Sequence, residues 1–274
     1  MQDFSHQLQT AVNLARQAGR LIWKIYSTDF SVAFKGKSDP VTEADRRAND
    51  LIVEGLQRKF PQDLIIAEES PLPQDPPHTD FVWYIDPLDG TKEFIAKNGE
   101  FSVMIGLALK GKACLGVVYR PDKDILYMGI SEQQSWIEFA GEKKPIQTNS
   151  HTNPQDLSLV VSRSHRHASM EEIKTAIGLH HEIISGSVGL KIGLIANGQA
   201  EVYIEPGSYT SAWDACAPEA ILRGAGGRFS DIFGNSIHYH PTNLKNKDGL
   251  VGTNGKCHDR ILQAISPLVG RGES

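Results

Sequence analysis

The run FVWYIDPLDGTKEF, residues 81–94, decides how this chain is read. Apolar residues from Phe81 to Ile85 stop at Asp86-Pro87-Leu88-Asp89-Gly90-Thr91. A short apolar run ending in a turn signal reads as a buried strand. Pro87 breaks that strand and Gly90 permits a tight turn, so Asp86 and Asp89 lie on a short bend. From there both carboxylates can point to one spot, and Thr91 begins a helix through Phe94.

Outward from this run, the first half reads as α+β. A strand LIIA (64–67) precedes it and ends at Glu68 and Glu69, so both acidic clusters sit at strand C-terminal ends. Downstream come FSVMIGLAL (101–109), ACLGVVY (113–119), DILYMGI (124–130) and SWIEF (135–139), with short turns at 110–112 and 120–123, and the six strands from LIIA onward predict an antiparallel meander. Upstream, apolar residues from Phe4 to Tyr26 recur at helical spacing. Thr42-x-x-Asp45 is a near capping box, placing Asp45 at the N-terminus of a second helix. PLPQDPPHTD (71–80) reads as an exposed loop joining two strands.

Beyond the polar stretch 141–156 the rhythm alternates. Strands LSLVVSRS, HEIIS and AEVYIE interleave with helices near 168–178 and 187–196, followed by a helix at 213–224 and a strand around 227–232. The expected division is an N-terminal α+β domain, 1–147, with the antiparallel sheet, and a C-terminal α/β domain, 148–274.

Composition bounds the function. The chain has 274 residues, 40% hydrophobic and 22% charged, which excludes disordered, collagenous and coiled-coil classes. Three widely spaced cysteines, Cys114, Cys216 and Cys257, give neither a disulfide framework nor a zinc pattern. The N-terminus lacks a signal-peptide hydrophobic region and the longest apolar run is too short to span a bilayer, so a soluble, cytoplasmic protein without a membrane partner is expected. A net charge of -5 disfavours a nucleic-acid polymer. That charge is uneven: between Phe60 and Thr91 lie seven acids and no Lys or Arg.

Like-charged carboxylates this close repel, so cations from elsewhere or bound metal must offset them. Hard oxygen donors with few histidines favour Mg2+ over zinc. Acids in the Pro-rich loop read as solvated. Asp214, in WDACAPE (213–219), opens an apolar helix and is either a plain cap or a further ligand. Dinucleotide, P-loop and GxSxG signatures are absent, and the pairs His165/His167 and His238/His240 read as surface histidines rather than zinc ligands.

Four blocks, GKSDPVTEADRRAN (36–49), AEES (67–70), WYIDPLDGTKEF (83–94) and WDACAPEAILRGAGG (213–227), resemble the signature blocks of the inositol monophosphatase-like, lithium-sensitive, Mg2+-dependent phosphatases, in family order and spacing. Within that superfamily DGTKEF, SRSH (162–165) and DACAPEAIL (214–222) resemble the CysQ-like 3'(2'),5'-bisphosphate nucleotidase branch. Inositol monophosphatases typically carry Asn where this chain has Glu93. The Gly186-to-Lys191 segment instead has inositol-phosphatase spacing, which implies some activity on inositol phosphates.

The resemblance implies a layered αβαβα sandwich of the sugar-phosphatase type. It also implies hydrolysis of the 3'(2')-phosphate of 3'-phosphoadenosine 5'-phosphate to AMP, a role in sulfur metabolism, two or three Mg2+ ions, and a monomer or homodimer. Position by position, Glu68, Asp86 and the Leu88 carbonyl hold one metal, and Asp86, Asp89 and Asp214 a second. Asp45, Glu68 and Thr91 orient and deprotonate water whose pKa the metal lowers. Gly90 and Thr91 N–H groups, with Lys92 and Asp214, contact substrate, while His165, Ser187 and Lys191 face the nucleotide. Lys191 is a candidate for the second phosphate or else a solvated helix lysine. The alternatives are an inositol monophosphatase, an inositol polyphosphate 1-phosphatase or a fructose-1,6-bisphosphatase, and, in another class, a non-enzymatic metal-dependent binding protein.

Overall fold

A computed structural model describes residues 2–35, 40–74 and 79–269. Parts of the first signature block and of the Pro-rich loop lie outside the described residues. The chain opens with α1 (Ser5–Tyr26), β1 (Val32–Phe34), β2 (Pro40–Thr42) and α2 (Glu43–Lys59). Next come β3 (Leu64–Ala67), β4 (Phe81–Asp89), α3 (Thr91–Ile95), β5 (Ser102–Leu109), β6 (Lys112–Arg120), β7 (Ile125–Ile130), β8 (Gln134–Phe139) and β9 (Glu142–Ile146). The second half holds β10 (Ser158–Ser162), α4 (Met170–Ile177), β11 (His181–Ser185), α5 (Val188–Ala196), β12 (Val202–Glu205), α6 (Ala212–Gly224), β13 (Arg228–Ser230), β14 (Leu250–Thr253) and α7 (His258–Val269).

These elements stack as the expected αβαβα sandwich. One face of a seven-stranded sheet, β3 to β9 in chain order, packs on α1 and α2 through Ala15, Ile22, Ile52, Trp83 and Val117. Its other face meets α5 and α6 in a core that also takes in the five-stranded sheet, β11-β10-β12-β14-β13, through Met104, Val118, Ile192, Ile221 and Phe229. The outer face of that second sheet is covered by α4 and α7, with Val161, Ile173, Val202 and Ile261 buried between them. The sheets divide between Ile146 and Ser158, but the central core is common to both halves. Among the described residues no helix is long and apolar enough to cross a membrane.

Where α6 lies follows from two glycines. A Cβ on Gly106 would stand 2.6 Å from the Ala217 nitrogen, and one on Gly116 would stand 2.1 Å from the Ala217 oxygen. Only bare backbone on β5 and β6 lets α6 approach so closely, and α6 carries Asp214 in its first turn.

Several expectations need correction. The meander is antiparallel from β4 to β9, but β3 pairs parallel to β4. The polar stretch 141–156, given no element from sequence, begins with β9, an edge strand whose first four residues are exposed. Pro87 does not end the strand: β4 continues through Asp89 with a register shift. The C-terminal sheet is mixed, because β12 and β13 both pair antiparallel to β14.

Candidate active site

Parallel pairing of β3 ends at Ala67 opposite Ile85, so beyond that point β4 has only β5 as a partner. Asp86 pairs with Met104 and Asp89 with Ser102, which puts one extra residue on β4. In a regular strand, residues three apart face opposite sides; a bulge of one residue cancels that alternation. Both carboxylates consequently reach the same side. Gly90 follows at φ 99°, and a Cβ there would lie 3.0 Å from the Glu100 carbonyl oxygen, so this left-handed corner requires glycine.

Asp214 approaches from α6, and oxygens of Asp86, Asp89 and Asp214 lie within 4.8 Å of one another. Each is anchored by an accepted hydrogen bond. Leu88 N–H donates to Asp86 Oδ1 at 2.9 Å, Ser211 N–H to Asp214 Oδ2 at 2.7 Å, and Gly189 N–H to Asp89 Oδ2 at 3.1 Å. Burial, compounded by the neighbouring carboxylates, pushes Asp86 and Asp214 well above the usual carboxylate range. Glu68 is raised by burial as well, its ammonium partner Lys35 opposing that shift. Converging, anchored and mutually repelling hard oxygens fit a divalent cation of the Mg2+ type.

Protein cations also reach the acids. Lys35, from outside the acidic window, donates to Glu68 at 2.8 Å and to Glu69 at 2.5 Å. The Lys191 ammonium is buried, donates to the Gly186 carbonyl at 2.7 Å, and lies among the charges of Asp89, Glu93, Glu205 and Asp214. The solvated-lysine alternative for Lys191 therefore falls. Neither Lys35 nor the exposed Lys245, whose charge acts on Asp214, had a local sequence signal, because both arrive from loops distant in the chain.

Thr91 Oγ1 donates to Asp45 Oδ1 at 2.9 Å and lies 3.3 Å from the Leu88 carbonyl. The other Asp45 oxygen accepts from the Thr42 N–H at 2.8 Å and the Thr42 hydroxyl at 2.6 Å, completing the capping box of α2. Burial raises Asp45 above its ordinary value, opposed by these hydrogen bonds.

A cavity of about 440 Å3 joins these groups; Glu68, Asp86, Leu88, Asp89, Gly90, Thr91, Lys92, His165, Lys191 and Asp214 all line it. Ser187 does not face it. That residue is fully buried as the N-cap of α5, its hydroxyl donating to Asp89 Oδ2 at 2.5 Å and accepting from the Leu190 N–H at 3.1 Å. The expectation that Ser187 faces the nucleotide is corrected accordingly: its partner is a carboxylate of the acidic cluster. Glu93, Tyr209 and Trp213 also line the cavity and were not assigned to the site from sequence.

A layered sandwich with an acidic cluster where β4 ends and α6 begins is the arrangement of a class of metal-dependent phosphatases. The inositol monophosphatase family pattern matches residues 3–269, and the chain belongs to that family. It is 38% identical over 242 residues to the 3'(2'),5'-bisphosphate nucleotidase CysQ of Escherichia coli K12, covering 85% of this chain and 94% of the relative. Identity to the Salmonella typhimurium protein of the same name is 39%, with the same coverage. Among solved structures, CysQ of Bacteroides thetaiotaomicron superposes with a TM-score of 0.76 at 27% identity, covering 92% of this chain and 98% of the other. The Thermotoga maritima inositol monophosphatase shares the fold at a TM-score of 0.80 and 24% identity, covering 97% and 98%.

Proposed function

We propose that the protein is a Mg2+-dependent phosphomonoester hydrolase that removes the 3'(2')-phosphate of 3'-phosphoadenosine 5'-phosphate. The observation that carries this reading is the convergence of Asp86, Asp89 and Asp214 on one cavity that Thr91 also lines, with Asp45 buried behind Thr91 and bonded to it. Similarity to enzymes named as nucleotidases supports the choice of substrate. Asp86, Asp89 and Asp214 would hold the metal, with Glu68 and the Leu88 carbonyl beside them. Bound there, the ion supplies Lewis-acid polarisation of the phosphoryl group and lowers the pKa of water.

The remaining steps rest on the chain's own groups. The Thr91 hydroxyl donates its proton to Asp45, so its oxygen is left as an acceptor for a water in the cavity. A proton passing from that water to Thr91 is matched by the Thr91 proton passing to Asp45. Burial that raises Asp45 suits it to receive that proton. The water oxygen bonds to phosphorus as the bond to the sugar oxygen breaks and that oxygen takes up a proton from a solvent water, without a covalent enzyme intermediate. Gly90 and Thr91 N–H groups would hold phosphoryl oxygens. His165 and Lys191 would serve the nucleotide end. The Gly186-to-Lys191 spacing favours some turnover of inositol phosphates as well.

The test is phosphate release with Mg2+ from 3'-phosphoadenosine 5'-phosphate and from inositol 1-phosphate. Faster turnover of the nucleotide is expected; faster turnover of the inositol ester would overturn the assignment.

A further inference from the structure

The four residues Ser162-Arg163-Ser164-His165 leave the end of β10 and carry His165 to the cavity, and three of them hold the loop in place. The Ser162 hydroxyl accepts the His165 N–H at 3.1 Å. Arg163 makes a two-pronged pair with Glu100, both bonds at 2.7 Å. The Ser164 hydroxyl donates to Glu93 Oε1 at 2.5 Å. Both acceptors belong to the other half of the molecule. Glu93 is buried in α3, directly after the Asp86–Gly90 turn, and the Glu100 carbonyl also accepts the N–H of Ser187 at 3.2 Å, the same serine that grips Asp89.

We propose that Glu93 is a positioning residue that latches the His165 loop to the acidic turn and thereby sets selection for the nucleotide. The proposal rests on the nucleotidase reading above. Along the chain, the path from Asp89 to Glu93 spans one turn and the start of α3; from Glu93 a single hydrogen bond reaches the residue preceding His165. The loop from the second half is held in register with the acidic cluster by that contact and by the exposed Arg163–Glu100 pair. Asn, typical of inositol monophosphatases at this position, is one methylene shorter and loses about 1.5 Å of reach, so it leaves Ser164 without its acceptor.

The experiment compares the parent protein with Glu93→Asn, Glu93→Gln and Ser164→Ala in Mg2+, measuring KM and kcat for 3'-phosphoadenosine 5'-phosphate and for inositol 1-phosphate. Loss of the charge-assisted bond in Glu93→Asn and in Ser164→Ala should raise the nucleotide KM about tenfold, with kcat changed less than about threefold. Glu93→Gln keeps an oxygen acceptor and should keep a KM near the parent value. The double variant Glu93→Asn/Ser164→Ala should be no worse than either single one. Ser164 is exposed, so its alanine variant keeps the test available if Glu93→Asn fails to fold.

An unchanged nucleotide KM in Ser164→Ala, or equal losses on both substrates, overturns the latch while leaving the nucleotidase reading intact. A parent protein that turns over only the inositol ester overturns that reading, and the latch as a determinant of nucleotide selection with it.

Discussion

Ser187 donates its hydroxyl to Asp89 at 2.5 Å, joining the N-cap of α5 in the second half of the chain to the end of β4 in the first. The same hydroxyl lies 2.8 Å from that of Ser102, the residue paired with Asp89 across the sheet. Ser187 thus fixes which oxygen of Asp89 is left for the cluster. Ser187→Ala should raise the Mg2+ concentration for half-maximal activity about 10- to 100-fold, as for outer-shell partners of metal ligands. Activity should recover at saturating Mg2+. A lower kcat with an unchanged Mg2+ requirement would show that Ser187 does not act through Asp89.

Asp89→Asn removes the charge itself while leaving an acceptor for Ser187. Mg2+-dependent phosphate release should fall at least about 100-fold. Release that persists at the parent rate would remove Asp89 from the site.

Thr91 and Asp45 act as one unit in the proposed proton path. Thr91→Ala and Asp45→Asn should each lower kcat by about 10²- to 10⁴-fold, leave KM near the parent value, and together cost little more than either alone. Additive losses in the double variant would argue that the two residues serve separate steps.

Glu219, in α6, is the clearest source of a pH-dependent stability. Burial raises it to about 7 from an ordinary value of 4.5, against the opposing effects of the Tyr239 hydroxyl and Arg223. A carboxyl whose folded value lies above its unfolded one stabilises the fold fully below pH 4.5, and that contribution is lost as pH rises through 7. Glu219→Gln keeps an acceptor for Tyr239, which donates at 2.6 Å, and does not titrate. Urea unfolding at a series of pH values should show the variant gaining on the parent by about 3 kcal/mol between pH 4.5 and 8. A difference independent of pH would contradict the assignment.

The acidic ends of β3 and β4 were legible because their signals are local: an apolar run, then carboxylates, Pro87 and Gly90. The bulge that turns Asp86 and Asp89 to one side was not, since it depends on the register of β4 against β5. Strand β9 was hidden by its place at the sheet edge, where exposed Glu142, Lys143 and Lys144 look like linker and serve to blunt pairing with another chain. Ser187 illustrates the limit of a motif: its spacing to Lys191 places it at the start of α5, but whether it faces the cavity or Asp89 is settled by how the two halves pack. Lys35 reaches Glu68 across 33 positions of sequence, and no pattern local to either residue announces that pair.

A net charge of -5 sits awkwardly with the proposed substrate and its two phosphates, unless metal converts the acidic cluster into an anion site. The most direct test is equilibrium binding of 3'-phosphoadenosine 5'-phosphate to the purified protein, in Mg2+ and in excess chelator. The account predicts saturable binding with Mg2+ that weakens at least about 100-fold when the metal is removed, as expected when uncompensated carboxylates face phosphate. Nucleotide binding that survives chelation undiminished would contradict it.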